Sequence, residues 1–112
     1  MKKTSNLFLK DNPKLNDFQQ YVKLMEIERG FSHQNTLQKA LMLGEELGEL
    51  FKAIRKEENI KIDNNSKISA IDEELADIFI FICAIANRYN INLEKAFRNK
   101  EEINKKRTWK NK

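Results

Sequence analysis

An all-α fold is what this sequence predicts, and two observations carry the prediction. Gly and Pro are scarce, three and one in 112 residues, so long helices can run uninterrupted. Apolar residues also recur at three- and four-residue steps through four successive stretches, each bounded by cap or stop residues. The architecture expected is an antiparallel four-helix, bundle-like domain completed by homo-oligomerisation. A core of this size commonly needs a second copy to cover it.

The four stretches follow in order. Residues 1–11 carry no clear period. Asn12-Pro13 reads as a cap and a first-turn proline. Leu15, Phe18, Val22 and Met25 then line one helical face, and Gly30 ends it. After a short connection over 31–34, Asn35 and Gln38 form a capping box for a second helix. Its stripe is Ala40, Leu43, Leu47, Leu50, Phe51 and Ile54, and Arg55 and Lys56 suit its C-terminal dipole. Asn64-Asn65 marks a turn, and Ser66 or Ser69 is the cap expected for a third helix reaching about Tyr89. Its stripe is Ile68, Ile71, Leu75, Ile78, Phe79, Ile82 and Ala86. Ile80, Cys83, Ala84 and Ile85 carry the apolar surface nearly all the way round. Such a helix must be covered on every side, and three partners leave one flank bare. A second subunit is expected there. Asn90 is a break, and Asn92 caps a fourth helix from Leu93, with Ala96, Phe97 and Ile103 expected inward and Trp109 near its end. One domain spans 1–112, with 1–11 and 110–112 expected to fray.

Composition narrows the classes of function. The net charge of +4 is mild, and its cations are mixed with acids, which suits a small polyanion better than a nucleic acid polymer. Cys83 is alone, so there is no disulfide framework and no cysteine zinc site; a buried small hydrophobe is the expectation. Residues 78–86 form the longest apolar run, far short of the ~20 that span a bilayer. The N-terminus lacks a signal-peptide apolar core. A soluble, cytoplasmic protein with no membrane partner is expected.

Two tetrads hold the chemistry: Glu46-Leu47-Gly48-Glu49 and Glu74-Leu75-Ala76-Asp77. Each puts two carboxylates three residues apart, on one helical face. Counted at 100° per residue from Leu47 and from Leu75, both pairs occupy the same two angles at the shoulder of the apolar stripe. The short polar connection favours an antiparallel helix pair, and the tetrads lie equally far from its centre, so they sit level. Four such acids repel. Two charges ~5 Å apart at an effective dielectric of ~20 cost about 3 kcal/mol. Either they splay into water or a cation neutralises them. All the ligands are oxygen, which favours Mg²⁺ or Mn²⁺ over zinc. A single Glu-x-x-Glu is as a rule a solvated helix face; the matched second copy is what raises the metal reading.

With its flanks, the pattern resembles the MazG-like nucleotide pyrophosphohydrolases. The resemblance rests on Gly44-Glu45-Glu46-Leu47-Gly48-Glu49-Leu50, Glu73-Glu74-Leu75-Ala76-Asp77, residues 90–97, and Lys100, Asn104 and Arg107. It covers roughly 16–109. It implies an all-α enzyme, a homodimer or dimer of dimers, that hydrolyses a (d)NTP to (d)NMP and pyrophosphate. It implies Mg²⁺ held by Glu46, Glu49, Glu74 and Asp77, which are also the catalytic residues, and phosphates held by Lys100, Asn104 and Arg107. Two departures stand out. The fourth helix begins Ile91-Asn92-Leu93 where relatives have Ile-Asp-Leu, and Phe81 stands where many carry tyrosine.

The chemistry this implies is attack of a metal-activated water at the α-phosphorus, oriented or deprotonated by one of the carboxylates, Glu49 being one candidate; the sequence does not assign which. Lys100, Asn104 and Arg107 fall at i, i+4 and i+7 on one helical stripe, though composition alone favours an ordinary solvated face. Phe81, on the face of Glu74 and Asp77, and His33, in a loop, are candidates for a nucleoside pocket; a lone loop histidine is more often a surface residue. Two alternatives remain: a phosphoribosyl-ATP pyrophosphatase-like enzyme, and a non-catalytic helical interaction module whose acids are a solvated face.

Overall fold

The computed structural model describes residues 5–107 except 62 and 66. It contains four helices: α1, Leu15–Glu28; α2, Thr36–Glu57; α3, Ile71–Arg88; and α4, Leu93–Lys105. The described residues include no strand. The roles considered for Ser66 and Trp109 lie outside the described residues.

Local chemistry explains most boundaries. Asn35 Oδ1 accepts from the Gln38 backbone N–H at 2.9 Å, and Gln38 Oε1 accepts from the Asn35 N–H at 2.8 Å, closing the expected box. Asn92 Oδ1 likewise accepts from Lys95 N–H at 2.9 Å. Gly30 follows α1 at φ +75°, and Asn59 and Asn90 follow α2 and α3 at φ 58° and 54°. Gly and Asn tolerate that left-handed conformation best. Two starts differ from expectation. α1 is capped at Lys14 rather than Asn12, because Asp17 Oδ2 accepts from the Lys14 backbone N–H at 2.8 Å. α3 is preceded by Ala70 without a side-chain cap, so Ser69 does not fill that role and Ile68 lies before the helix.

α2 and α3 run antiparallel. The Ala53 end of α2 lies beside Ile71, and the Lys39 end beside Phe81 and Ala84. α1 packs on α3 around a small core of Val22, Met25, Cys83 and Ala84, joined by Phe18 and Phe79 in edge-to-face contact at 5.5 Å. The described N-terminal residues lie along α1: Leu7 packs on this core and Ser5 Oγ donates to Glu28 Oε2 at 3.0 Å.

Within one chain the bundle is open. Phe97 and Ile103 of α4, expected inward, are 70% and 56% exposed, because α4 leans chiefly on α1. Leu47, Phe51 and Ile54 of α2 and Leu75 and Ile82 of α3 are exposed as well, so the apolar stripe of α2 is largely uncovered. The surface of 9481 Å² is roughly half as large again as the ~6,500 Å² expected of a compact chain of 13.3 kDa. The radius of gyration, 17.2 Å, exceeds the ~13 Å of a compact chain of this length.

Candidate active site

The antiparallel pairing of α2 and α3 sets Glu46 opposite Glu74 and Asp77. Carboxylate oxygens from these three residues lie within 4.8 Å of one another. Glu49, one turn on from Glu46, points instead to Lys52, with Oε1 3.6 Å from Nζ. Three of the four tetrad acids therefore converge, and the fourth stands at the edge. The crowding shows in the chemistry of Glu46. Burial pushes its carboxyl above the usual range, helped by a hydrogen bond with Glu74 and by the charges of Asp77, Glu74 and Glu49.

Glu74 is buried, and its Oε2 has no hydrogen-bond partner among the described residues. A buried carboxylate oxygen without a donor is costly, and a cation satisfies it. The donor set is all oxygen, with no imidazole or thiolate. The residues present therefore fit a hard divalent ion.

Asp77 also forms the rim of a second feature, a pocket of about 150 Å³ walled by Phe31, Lys39, Met42 and Phe81, with Glu26 at its inner side. Lys39 is a cation almost wholly removed from water. Its Nζ lies 2.9 Å from Glu26 Oε2, and 5.1 and 5.4 Å from the ring centres of Phe31 and Phe81. Arg88 grips the same carboxylate with a fork, Nη1 to Oε1 at 2.8 Å and Nη2 to Oε2 at 3.0 Å. Burial would raise the Glu26 carboxyl, but the bonds from Arg88 and Lys39 outweigh it and hold it below the usual range. Sequence reasoning missed Glu26 and Lys39. The available signal was a charge inside an apolar face: Glu26 lies one turn after Val22, and Lys39 one turn before Leu43. Phe81 lines the pocket; His33 is exposed in the α1–α2 loop and is not part of its wall.

Lys100 and Asn104 lie elsewhere. They line an apolar groove of about 440 Å³ with Leu15, Phe79, Ile82 and Phe97. Phe79 is 200° round α3 from Asp77, so this groove is on the far side of α3 from the acids. Arg107 lies beyond the end of α4, past the C-cap Lys106, and so does not extend the helical stripe. Within one chain Lys100 and Asn104 thus line a groove apart from the carboxylates.

A family model described as the MazG nucleotide pyrophosphohydrolase domain matches residues 31–110, which include both tetrads and all of α4. The chain belongs to the MazG nucleotide pyrophosphohydrolase family. Two crystal structures of iMazG from Vibrio DAT 722 are similar to it at 32% identity. Their TM-scores are 0.63 and 0.61, each match covers 82% of this chain, and the matches cover 94% and 98% of theirs. Comparison with curated proteins found no match. In this MazG chain the family match begins at Phe31, so Glu26, which anchors Lys39, comes from a helix outside the matched segment.

Proposed function

We propose that this MazG protein hydrolyses a nucleoside triphosphate, (d)NTP + H₂O to (d)NMP and pyrophosphate, with Mg²⁺ as its metal and Mn²⁺ as a substitute. The observation that supports this most is the trio of carboxylates, Glu46, Glu74 and Asp77, within 4.8 Å, one of them buried with an oxygen that has no partner among the described residues. Those three would hold the metal, which would supply positive charge opposite the phosphates and acidity for the attacking water. Glu49, at the rim of the cluster, would accept the proton that the attacking water gives up. The water oxygen then bonds to the α-phosphorus, the bond to the bridging oxygen breaks, and pyrophosphate leaves.

Lys100, Asn104 and Arg107 neutralise the phosphates in this reading, and a homo-oligomer supplies the geometry. The surface excess and the exposed Phe97, Ile82, Phe51 and Leu75 support a second copy on these faces. The partner's α4 would then approach acids that its own chain's α4 does not reach.

The test is pyrophosphate release from the common (d)NTPs with and without Mg²⁺, alongside sedimentation. Release that needs Mg²⁺ and is lost in Glu46→Gln and Asp77→Asn, with helicity intact, supports the reading. Full turnover in those variants, or an active monomer, overturns the corresponding half of it.

A further inference from the structure

The wall of the pocket beside Asp77 is built for something narrower than nucleotides in general. We propose that it takes the single ring of a pyrimidine base, with a ring carbonyl facing Lys39, so that the enzyme selects pyrimidine nucleoside triphosphates over purine ones. This rests on the hydrolase reading for the phosphates and adds the base.

Size is the first argument. The pocket encloses about 150 Å³. A cavity of ~150 Å³ lined by apolar side chains accommodates one six-membered ring. A purine adds a second fused ring, which exceeds what a space of this volume holds.

The wall chemistry is the second. Phe31 and Phe81 offer aromatic faces, and Lys39 places its ammonium 5.1 and 5.4 Å from their centres. Glu26 takes one Lys39 donor, and it is already held by Arg88 through both oxygens. Two cations share one carboxylate, and Arg29 and Asp77 add one charge of each sign to the lining. Remaining donors on Lys39 therefore favour an acceptor. The exocyclic O2 shared by cytosine, thymine and uracil is such an acceptor; adenine has no carbonyl, and guanine, which has one at O6, is turned away by size alone.

Position is the third. Asp77 belongs both to the carboxylate trio and to the pocket rim. A nucleotide whose phosphates lie at the trio therefore has its base beside this opening.

The experiment compares kcat/KM for dCTP, dTTP, dATP and dGTP at fixed Mg²⁺. It adds calorimetric titration of the four monophosphates, which reads base recognition without turnover. The expected result is at least ~10-fold preference for the pyrimidines in both, the scale set by shape-based rejection in an apolar pocket. Met42→Ala, which widens the pocket, moves the ratio towards purines by roughly 5-fold or more. Lys39→Met raises KM for pyrimidine substrates about 10-fold, with a smaller change in kcat. Mg²⁺-dependent release with equal kcat/KM for all four triphosphates, or a Met42→Ala ratio that does not move, overturns the base assignment and leaves the hydrolase standing. Pyrimidine monophosphate binding without release from any triphosphate keeps the pocket and overturns the reaction.

Discussion

Lys39 Nζ lies 2.9 Å from Glu26 Oε2, with 4% and 6% of the two side chains exposed. With Arg88 on the same carboxylate, this pair joins α1, α2 and α3 at one point. Among the described residues α2 is held chiefly by α3 and touches α1 little, so this cluster fixes where α1 meets α2 and forms part of the pocket beside Asp77.

Removing the shared carboxylate leaves the buried Lys39 and the largely buried Arg88 without their common counter-charge. Glu26→Gln should cost about 3–5 kcal/mol, a large part of the 5–15 kcal/mol typical of a domain. Urea unfolding reads this as a drop in midpoint. The pH dependence follows from the lowered Glu26 carboxyl, where the bonds from Arg88 and Lys39 overcome burial. Its stabilisation is complete above the unfolded value of 4.5 and is lost as pH falls through the lower folded value. Between about pH 5 and pH 3 the wild-type melting temperature should fall more steeply than that of Glu26→Gln. Parallel slopes would count against the assignment.

Glu74→Gln should separate stability from function. It removes one charge from a repelling trio, so the metal-free protein should melt higher, by roughly 4 °C for each kcal/mol gained. The same change should abolish Mg²⁺-dependent pyrophosphate release and the thermal shift produced by Mg²⁺. A variant that melts lower without metal would show that the acids are not in conflict.

Cys83 should be inert in the native state. It is fully buried, and burial pushes its thiol up to about 11. A disulfide reagent at about pH 8 should label it only as fast as the protein opens, and at once in concentrated guanidinium. Prompt labelling of the native protein would mean that the α1–α3 core is looser than described.

Gln19 stitches the α3–α4 turn to α1. Its Nε2 donates to Asn87 Oδ1 at 3.2 Å and to the Ile91 carbonyl at 2.7 Å, and its Oε1 accepts from the Leu93 N–H at 2.9 Å. Gln19→Leu orphans these groups and should cost about 2–3 kcal/mol. Because α4 leans chiefly on α1, hydrogen exchange at the Leu93 amide should accelerate more than at core amides of α2. Uniform acceleration would indicate a global effect instead.

Much of this protein is written in short-range pattern. The helices at Thr36, Leu93 and the stop at Gly30 follow from Asn caps and one left-handed glycine, each a contact within a few residues. The common angular phase of the two tetrads also follows from helical pitch alone. Tertiary packing decided the rest. It brought Glu46, Glu74 and Asp77 together while Glu49 turned to Lys52, and it buried Lys39 on Glu26 between two phenyl rings. It also set α4 against α1, so that Lys100 and Asn104 open onto another groove. The reason is range: a cap or a periodic stripe is settled by neighbours along the helix, whereas the partner of a carboxylate or an ammonium is settled by which helices pack, at what rotation, and how much water they expel.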